Sequence, residues 1–205
     1  MTVAALYVDP HGAYAGLADV ELWDEARDAR TYAGPWPVVA HPPCARWCQL
    51  APLVQARYPH IRAGEDGGCF AAALRSVRRW GGVLEHPAYT RAWARHGLPA
   101  PRCHGWQSTL CGGWVCQVDQ ARYGHRARKS TWLYAVVEGL PPLLDWRPGR
   151  GSVWMTWLTR DGRGRAMNAP AAERMGRRER NATPPEFRDV LLGIARSALT
   201  TRTAA

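Results

Sequence analysis

The chain has no apolar run near the roughly 20 residues that a membrane-crossing helix requires, so a helical span is not expected in its 205 residues. Its start has neither the basic segment nor the long apolar core of a secretory signal. The expectation is a cytoplasmic protein with no membrane partner, and therefore reduced thiols used for packing, metal binding or catalysis. Paired Cys-x-x-Cys knuckles are also lacking. Without them Cys103, His104, Cys111 and Cys116 make a poor zinc set, and Pro43 makes Cys44 an end position rather than a ligand partner of Cys48, so zinc is not expected and no metal ligand is assigned. Phenylalanine is scarce, at 2 residues against 11 Trp. No internal repeat occurs. What the chain has in excess is positive charge, +10 at neutral pH. Such a balance suits an anionic partner: arginines displace counterions from phosphates and aromatic faces stack on bases. The competing reading places most Trp in a core and attributes the arginines to genome composition.

The length fits one buried domain, 1–205. Ala4 to Val8 reads as a strand closed by the turn Asp9-Pro10-His11-Gly12, and Gly12 and Gly16 permit close backbone approach to a ligand. Glu21 to Arg30 has helical composition. Trp36 to Ala40 is a buried strand, and Trp47 to Val54 is a short helix that restarts at Pro52. Cys69 to Trp80 is the clearest helix, with Phe70, Leu74 and Val77 on one face and glycines following. It crosses over to the strand Gly82 to Pro87, which it makes parallel to the first. Thr90 to His96 is helical, and Trp114 to Val118 and Ser130 to Val137 are strands flanking a basic loop. Residues 139–176 form an irregular insertion with a hairpin near Asp161-Gly162. The last helix, 183–199, opens on a capping-box pattern at Thr183-Pro184-Pro185-Glu186. Together these predict an α/β fold with a mostly parallel sheet and flanking helices.

Two strands end in chemistry. The run from Trp36 closes on His41-Pro42-Pro43-Cys44, presenting a thiol at a strand's carboxyl end, where ligands sit in open α/β sheets. The second ends on Glu85-His86-Pro87. Adjacent parallel strands would bring Cys44 and Glu85 together. A thiolate adding at carbon 6 of a pyrimidine activates carbon 5, and a carboxyl group at N3 assists that addition. His41, Pro43 and His86 are the supporting residues around the turn. Cys44 also fits a buried structural thiol, and Glu85 an arginine partner.

Read in order, four pieces resemble the DNA cytosine-C5 methyltransferase family. Pro42-Pro43-Cys44 resembles its catalytic Pro-Cys strand end, and Glu85-His86-Pro87 its Glu-Asn-Val element. Tyr123-Gly124 with Arg126, Arg128 and Lys129 resembles its Tyr-Gly-x-x-Gln-x-Arg-x-Arg strand entry. Asn181-Ala182-Thr183-Pro184-Pro185 is similar to the start of its last conserved helix. The order and approximate spacing agree across most of the chain. Departures are Ala45 for a Gln, His86 for the Asn, and Ala127 and Thr131 for the Gln and final Arg of the basic motif. The resemblance implies a methyltransferase-like (Rossmann-like) fold in a compact phage or prophage protein. It implies Cys44 as nucleophile, Glu85 as N3 partner, and Lys129 in the place of the motif's first arginine. It further implies S-adenosylmethionine held by Asp9, Gly12, Gly16 and Asn181, and DNA, with RNA or a nucleotide as other substrates, held by Arg122, Arg126, Arg128 and Lys129. A target base in a duplex would have to be flipped out. Two other classes stay open: a non-catalytic nucleic-acid-binding phage protein on a degenerate methyltransferase fold, and a zinc-stabilised interaction module.

Overall fold

The computed structural model describes residues 1–102, 104–153 and 175–198. Seven strands make one mixed sheet: β1 (Val3–Leu6), β2 (Val20–Trp23), β3 (Val38–Ala40), β4 (Gly82–Pro87), β5 (Gln107–Ser108), β6 (Trp114–Asp119) and β7 (Ser130–Val136), in the spatial order β2-β1-β3-β4-β7-β6-β5. Helices α1 (Ala51–Arg57), α2 (Cys69–Trp80), α3 (Arg91–Arg95), α4 (Arg177–Asn181) and α5 (Pro185–Arg196) flank it.

The pairings β2·β1, β1·β3 and β3·β4 are parallel, as the crossover through α2 requires, whereas β4·β7, β7·β6 and β6·β5 are antiparallel. The expected mostly parallel sheet is therefore corrected to a mixed one whose longest ladders are antiparallel. The reason is connection length. Only the segment 120–129 joins β6 to β7, too little for the crossover of a dozen or more residues that parallel neighbours need. Because β7 is reversed and β6 turns back again, β2, β1, β3, β4 and β6 all point the same way.

Period-2 alternation sorts the strands' side chains between two cores. Ala4, Leu6, Val38, Ala40 and Leu84 pack with Phe70, Ala73, Leu74 and Val77 of α2 and with Trp93 of α3. Val3, Ala5, Val39, Val83, Leu133 and Ala135 pack on the opposite face with Phe187, Leu191 and Ile194 of α5. Full burial of each large apolar side chain on α5 contributes about 1.5–3 kcal/mol. Trp47, Trp93 and Trp132 are buried in the α2-side core, so this part of the tryptophan excess is structural.

Two local expectations fail for identifiable reasons. Val20–Trp23 is an edge strand on β1, not the start of a helix through Arg30: Val20 and Leu22 pack toward the α5 side and Trp23 toward the α2 side, a strand's alternation. The chain then turns at Asp24, whose Oδ1 accepts from Arg27 N at 2.9 Å, and at Asp28, left-handed with φ 50°, which caps the 3-10 turn Ala29–Thr31. At α5 the N-cap is Pro184, with no side-chain cap bond. Pro185 drives the residue before it into extended conformation, which moves the helix start past Thr183 and leaves the capping box unformed. The hairpin expected at Asp161-Gly162 lies outside the described residues, as does Leu199 at the end of the last helix.

One glycine is decisive for the central pairing. Gly82 opens β4 with φ 111°, and a Cβ there would run into the backbone oxygen and nitrogen of Val38 on β3. Gly82→Ala is expected to cost roughly 3 kcal/mol or more, because neither the backbone angle nor the neighbouring strand can give way. Urea denaturation at neutral pH measures it.

Candidate active site

The tip of β3 is extended by one more ladder bond, His41 N to Leu6 O at 3.0 Å, before Pro42 and Pro43 end the strand and a turn closed by Trp47 N to Cys44 O at 2.9 Å presents Cys44. Alternation places His41 on the same face as Val39 and Glu85 on the same face as Val83, both toward α5. Reversal of β7 matters here: its first residues meet the last residues of β4, Thr131 opposite Pro87. Lys129 and Thr131 thus reach the rim where Cys44 and Glu85 end.

Glu85 is the centre of this rim, 8% exposed. Its Oε2 lies 3.0 Å from His41 Nδ1 and its Oε1 accepts from Gln120 Nε2 at 3.0 Å. The same Gln120 nitrogen donates to Thr131 Oγ1 at 2.9 Å. On its far side, His41 Nε2 is 2.9 Å from the hydroxyl of Tyr14, a buried residue delivered by the turn after β1. Burial works against the charge on Glu85, but the hydrogen bond from His41 and the charges of His41 and Lys129 outweigh it and bring the carboxyl from 4.5 down to about 2.

Cys44 is half-buried. Burial pushes its thiol up, Glu85 pushes it further, and Lys129 opposes both. Lys129, the single lysine among 27 basic side chains, is lowered by burial and raised by Glu85 and Cys44. Thiol, carboxyl and ammonium therefore stand within each other's electrostatic reach. Tyr14, Gln120 and Thr131 were not anticipated as members of this network. The signals for them were Tyr14's place within the glycine turn and the two flanks of the basic loop.

Other predicted positions fall elsewhere. His86 points away from the site, into the α2-side core, with its ring 5.2 Å from that of Phe70 and 6.3 Å from that of Trp93. Pro43 is exposed at the turn. Three arginines of the basic loop are each tied to a carboxylate: Arg122 to Asp145 at 2.7 Å, Arg126 to Glu179 at 2.6 Å and Arg128 to Asp119 at 3.1 Å. The loop is thereby pinned, with Arg126 and Arg128 still more than half exposed.

The residues expected to hold S-adenosylmethionine do not form a cradle. Asp9 spends Oδ1 on its own turn, accepting from His11 N at 2.9 Å, and Gly12 lies packed against the Asp9 backbone. Gly16 faces open space and Asn181 is exposed at the end of α4. The inward side of the turn is filled by Tyr14, and Arg188 of α5 clamps it through Ala13 O at 2.8 Å. Of the thiols considered for zinc, Cys116 is buried and Cys111 exposed, Cys103 lies outside the described residues, and no group of three metal-binding side chains occurs among the described residues. No helix there is long and apolar enough to cross a membrane. On the α2 side, a cavity of about 580 Å³ lies between Trp47, the 64–68 loop, Arg95 and His96. There Asp66 already accepts from Gly68 N, Phe70 N and Trp47 Nε1.

Comparison of the chain with protein-family models, with curated proteins and with solved structures finds no match.

His86 supplies a pH dependence. Burial pushes its pKa from 6.5 down to about 4, although the nearby Glu85 charge and the Pro43 carbonyl favour the protonated ring. The unfolded chain therefore takes up this proton first, so the contribution is whole above 6.5 and is lost as pH falls toward about 4. Stability is expected to drop by about 2 kcal/mol from this group between pH 7 and pH 5. Urea titrations of the wild type and His86→Leu at both pH values check it, the variant losing that part of the slope.

Proposed function

We propose that this protein modifies carbon 5 of a pyrimidine base in DNA through a covalent adduct with Cys44. The observation that carries the reading is the meeting of Cys44, Glu85 and Lys129 at one rim of the sheet, delivered by three different strands or strand ends. The resemblance to DNA cytosine-C5 methyltransferases assigns the same residues. A Rossmann-like reading of the fold is supported by the reversal of strand order at β1. The chain leaves β1 for β2 on one side and returns to β3 on the other, and ligands in open α/β sheets bind at the carboxyl ends flanking such a point.

In this mechanism Cys44 Sγ, after losing its proton to solvent, bonds to carbon 6. The electrons of the 5,6 double bond shift toward carbon 5, while Glu85 assists at N3. Carbon 5 then attacks an electrophilic carbon donor, whose bond to its leaving group breaks as that group departs with the electron pair. The C5 proton passes to solvent, its electron pair re-forms the 5,6 double bond, and the Sγ–C6 bond breaks to release Cys44 as thiolate. In the free protein the thiol is held protonated by burial and by the Glu85 charge; a base that engages Glu85 relieves the second effect, so substrate itself makes the thiolate less costly. Lys129 stabilises the thiolate and is placed to meet a base carbonyl oxygen.

The test is incubation with DNA containing 5-fluorocytosine, with and without S-adenosylmethionine. A denaturation-stable complex that requires Cys44 is expected. Dependence on S-adenosylmethionine would identify methyl transfer, and independence another donor. Salt-sensitive DNA binding with no complex in either condition would refute catalysis and leave the non-catalytic binder.

A further inference from the structure

Both oxygens of Glu85 are committed in a way that restricts where a proton can come from. Oε1 faces Gln120 Nε2 at 3.0 Å, and an amide nitrogen only donates, so Oε1 carries no proton toward it. Oε2 faces His41 Nδ1 at 3.0 Å. Behind His41, Nε2 faces the Tyr14 hydroxyl at 2.9 Å. The file is sheltered: the His41 and Glu85 side chains are 13% and 10% exposed, and Tyr14 only 2%. The Tyr14 ring packs in the α5-side core, whereas its hydroxyl is spent on His41, and α5 grips the turn through the Ala13 carbonyl.

We infer that Tyr14 and His41 are positioning residues of a proton relay that charges Glu85 for its role at the base ring. The inference rests on the functional reading above and specifies how N3 is served. In the active form His41 is an imidazolium, with Nε2–H donating to the Tyr14 oxygen and Nδ1–H to Glu85 Oε2. As the Sγ–C6 bond forms, the Nδ1–H bond breaks and Oε2–H forms; that proton passes on to N3, and Glu85 is again a carboxylate. His41 is left neutral with Nε2–H still on Tyr14. When the adduct collapses, the proton returns from N3 to Nδ1 along the same path, so no net proton or electron is consumed. Tyr14 serves as a neutral acceptor: burial first, and the Glu85 charge second, hold its hydroxyl well above the ordinary tyrosine range, so it does not ionise. The charged groups acting on this file are Arg188 and Asp189 at Tyr14 and Lys129 at Glu85, with His86 a titratable neighbour of Glu85 from the α2 side.

The experiment measures the rate of covalent complex formation on 5-fluorocytosine DNA against pH, and its solvent-isotope proton inventory, for the wild type, Tyr14→Phe and His41→Gln. His41→Gln is expected to slow the step on the order of 10²-fold, the usual worth of general acid–base assistance, and to remove the pH-profile limb due to the relay. Tyr14→Phe, which deletes one oxygen, is expected to slow it about tenfold. The wild-type inventory should show more than one proton in flight and that of His41→Gln only one. DNA affinity stays near wild type in Tyr14→Phe, while its melting temperature falls by a few degrees because His41 Nε2 loses its partner. If the wild type forms the complex and both variants keep its pH profile and inventory, the relay is overturned while the base-modifying reading stands. If the wild type forms no complex, that reading falls and the relay with it.

Discussion

Cys44→Ser should abolish the covalent complex with 5-fluoropyrimidine DNA while leaving DNA affinity unchanged. Serine keeps the size and the turn, because the local hydrogen bond closing it is made by the Cys44 backbone carbonyl and not by the sulfur. What changes is the nucleophile: a hydroxyl beside Glu85 cannot be ionised at a pH the protein survives, whereas a thiol with Lys129 nearby can. Gel-shift affinity together with electrophoresis under denaturing conditions checks both halves. A Cys44→Ser protein that still forms the complex would remove this residue from the chemistry.

Replacing Glu85 should be felt twice. Glu85→Gln leaves a neutral side chain of the same shape, so Gln120 retains its acceptor. However, His41 loses its charged partner and Lys129 its nearest opposing charge in a poorly hydrated place. Breaking a buried pair from one side typically costs several kcal/mol; with the isosteric amide, about 3 kcal/mol is expected at pH 7 in urea denaturation. The pH dependence separates this from generic damage. Because the folded carboxyl is depressed from 4.5 to about 2, its contribution is complete above 4.5 and disappears as pH falls toward 2. Glu85→Gln should therefore be destabilised at pH 7 and converge on the wild type in acid. Adduct formation should drop on the order of 10²–10⁴-fold, since the group that serves N3 is gone. A variant as stable as wild type at pH 7 would show that the buried ion pair contributes nothing.

Much of this site could be read before any fold was known. A proline-locked turn after a buried run marks a strand end, and a second strand ending in a carboxyl and joined to it by a helix must lie parallel to it. These two facts alone bring Cys44 and Glu85 to one rim. His86 lies beside the Pro43 carbonyl but on the opposite face from Glu85, because a strand's alternation is phased by its core residues: with Val83 facing α5, Glu85 faces it too, and His86 must face α2. Nothing in the local segment gives that phase. Tyr14 and Gln120 escaped notice for another reason: they reach Glu85 from turns distant in sequence, where side-chain direction is set by what packs against the turn. Lys129 had a stronger signal than its motif, being the one lysine in a chain whose other basic side chains are arginine. A primary amine accommodates burial by a lowered pKa where a guanidinium does not.

The amino-acid order by itself determined the elements that depend on near neighbours. The helix Cys69–Trp80 follows from its apolar spacing and terminal glycines, the parallel pairing of β3 with β4 from the crossover, and the thiol at a strand tip from the double proline. Only the tertiary structure decided the seating of β7 between β4 and β6, the face on which each strand's side chains fall, and the enclosure of Tyr14 under α5. These are choices among arrangements with the same local energetics, settled by which one buries both apolar faces of the sheet and leaves Glu85, once buried, with partners on both of its oxygens.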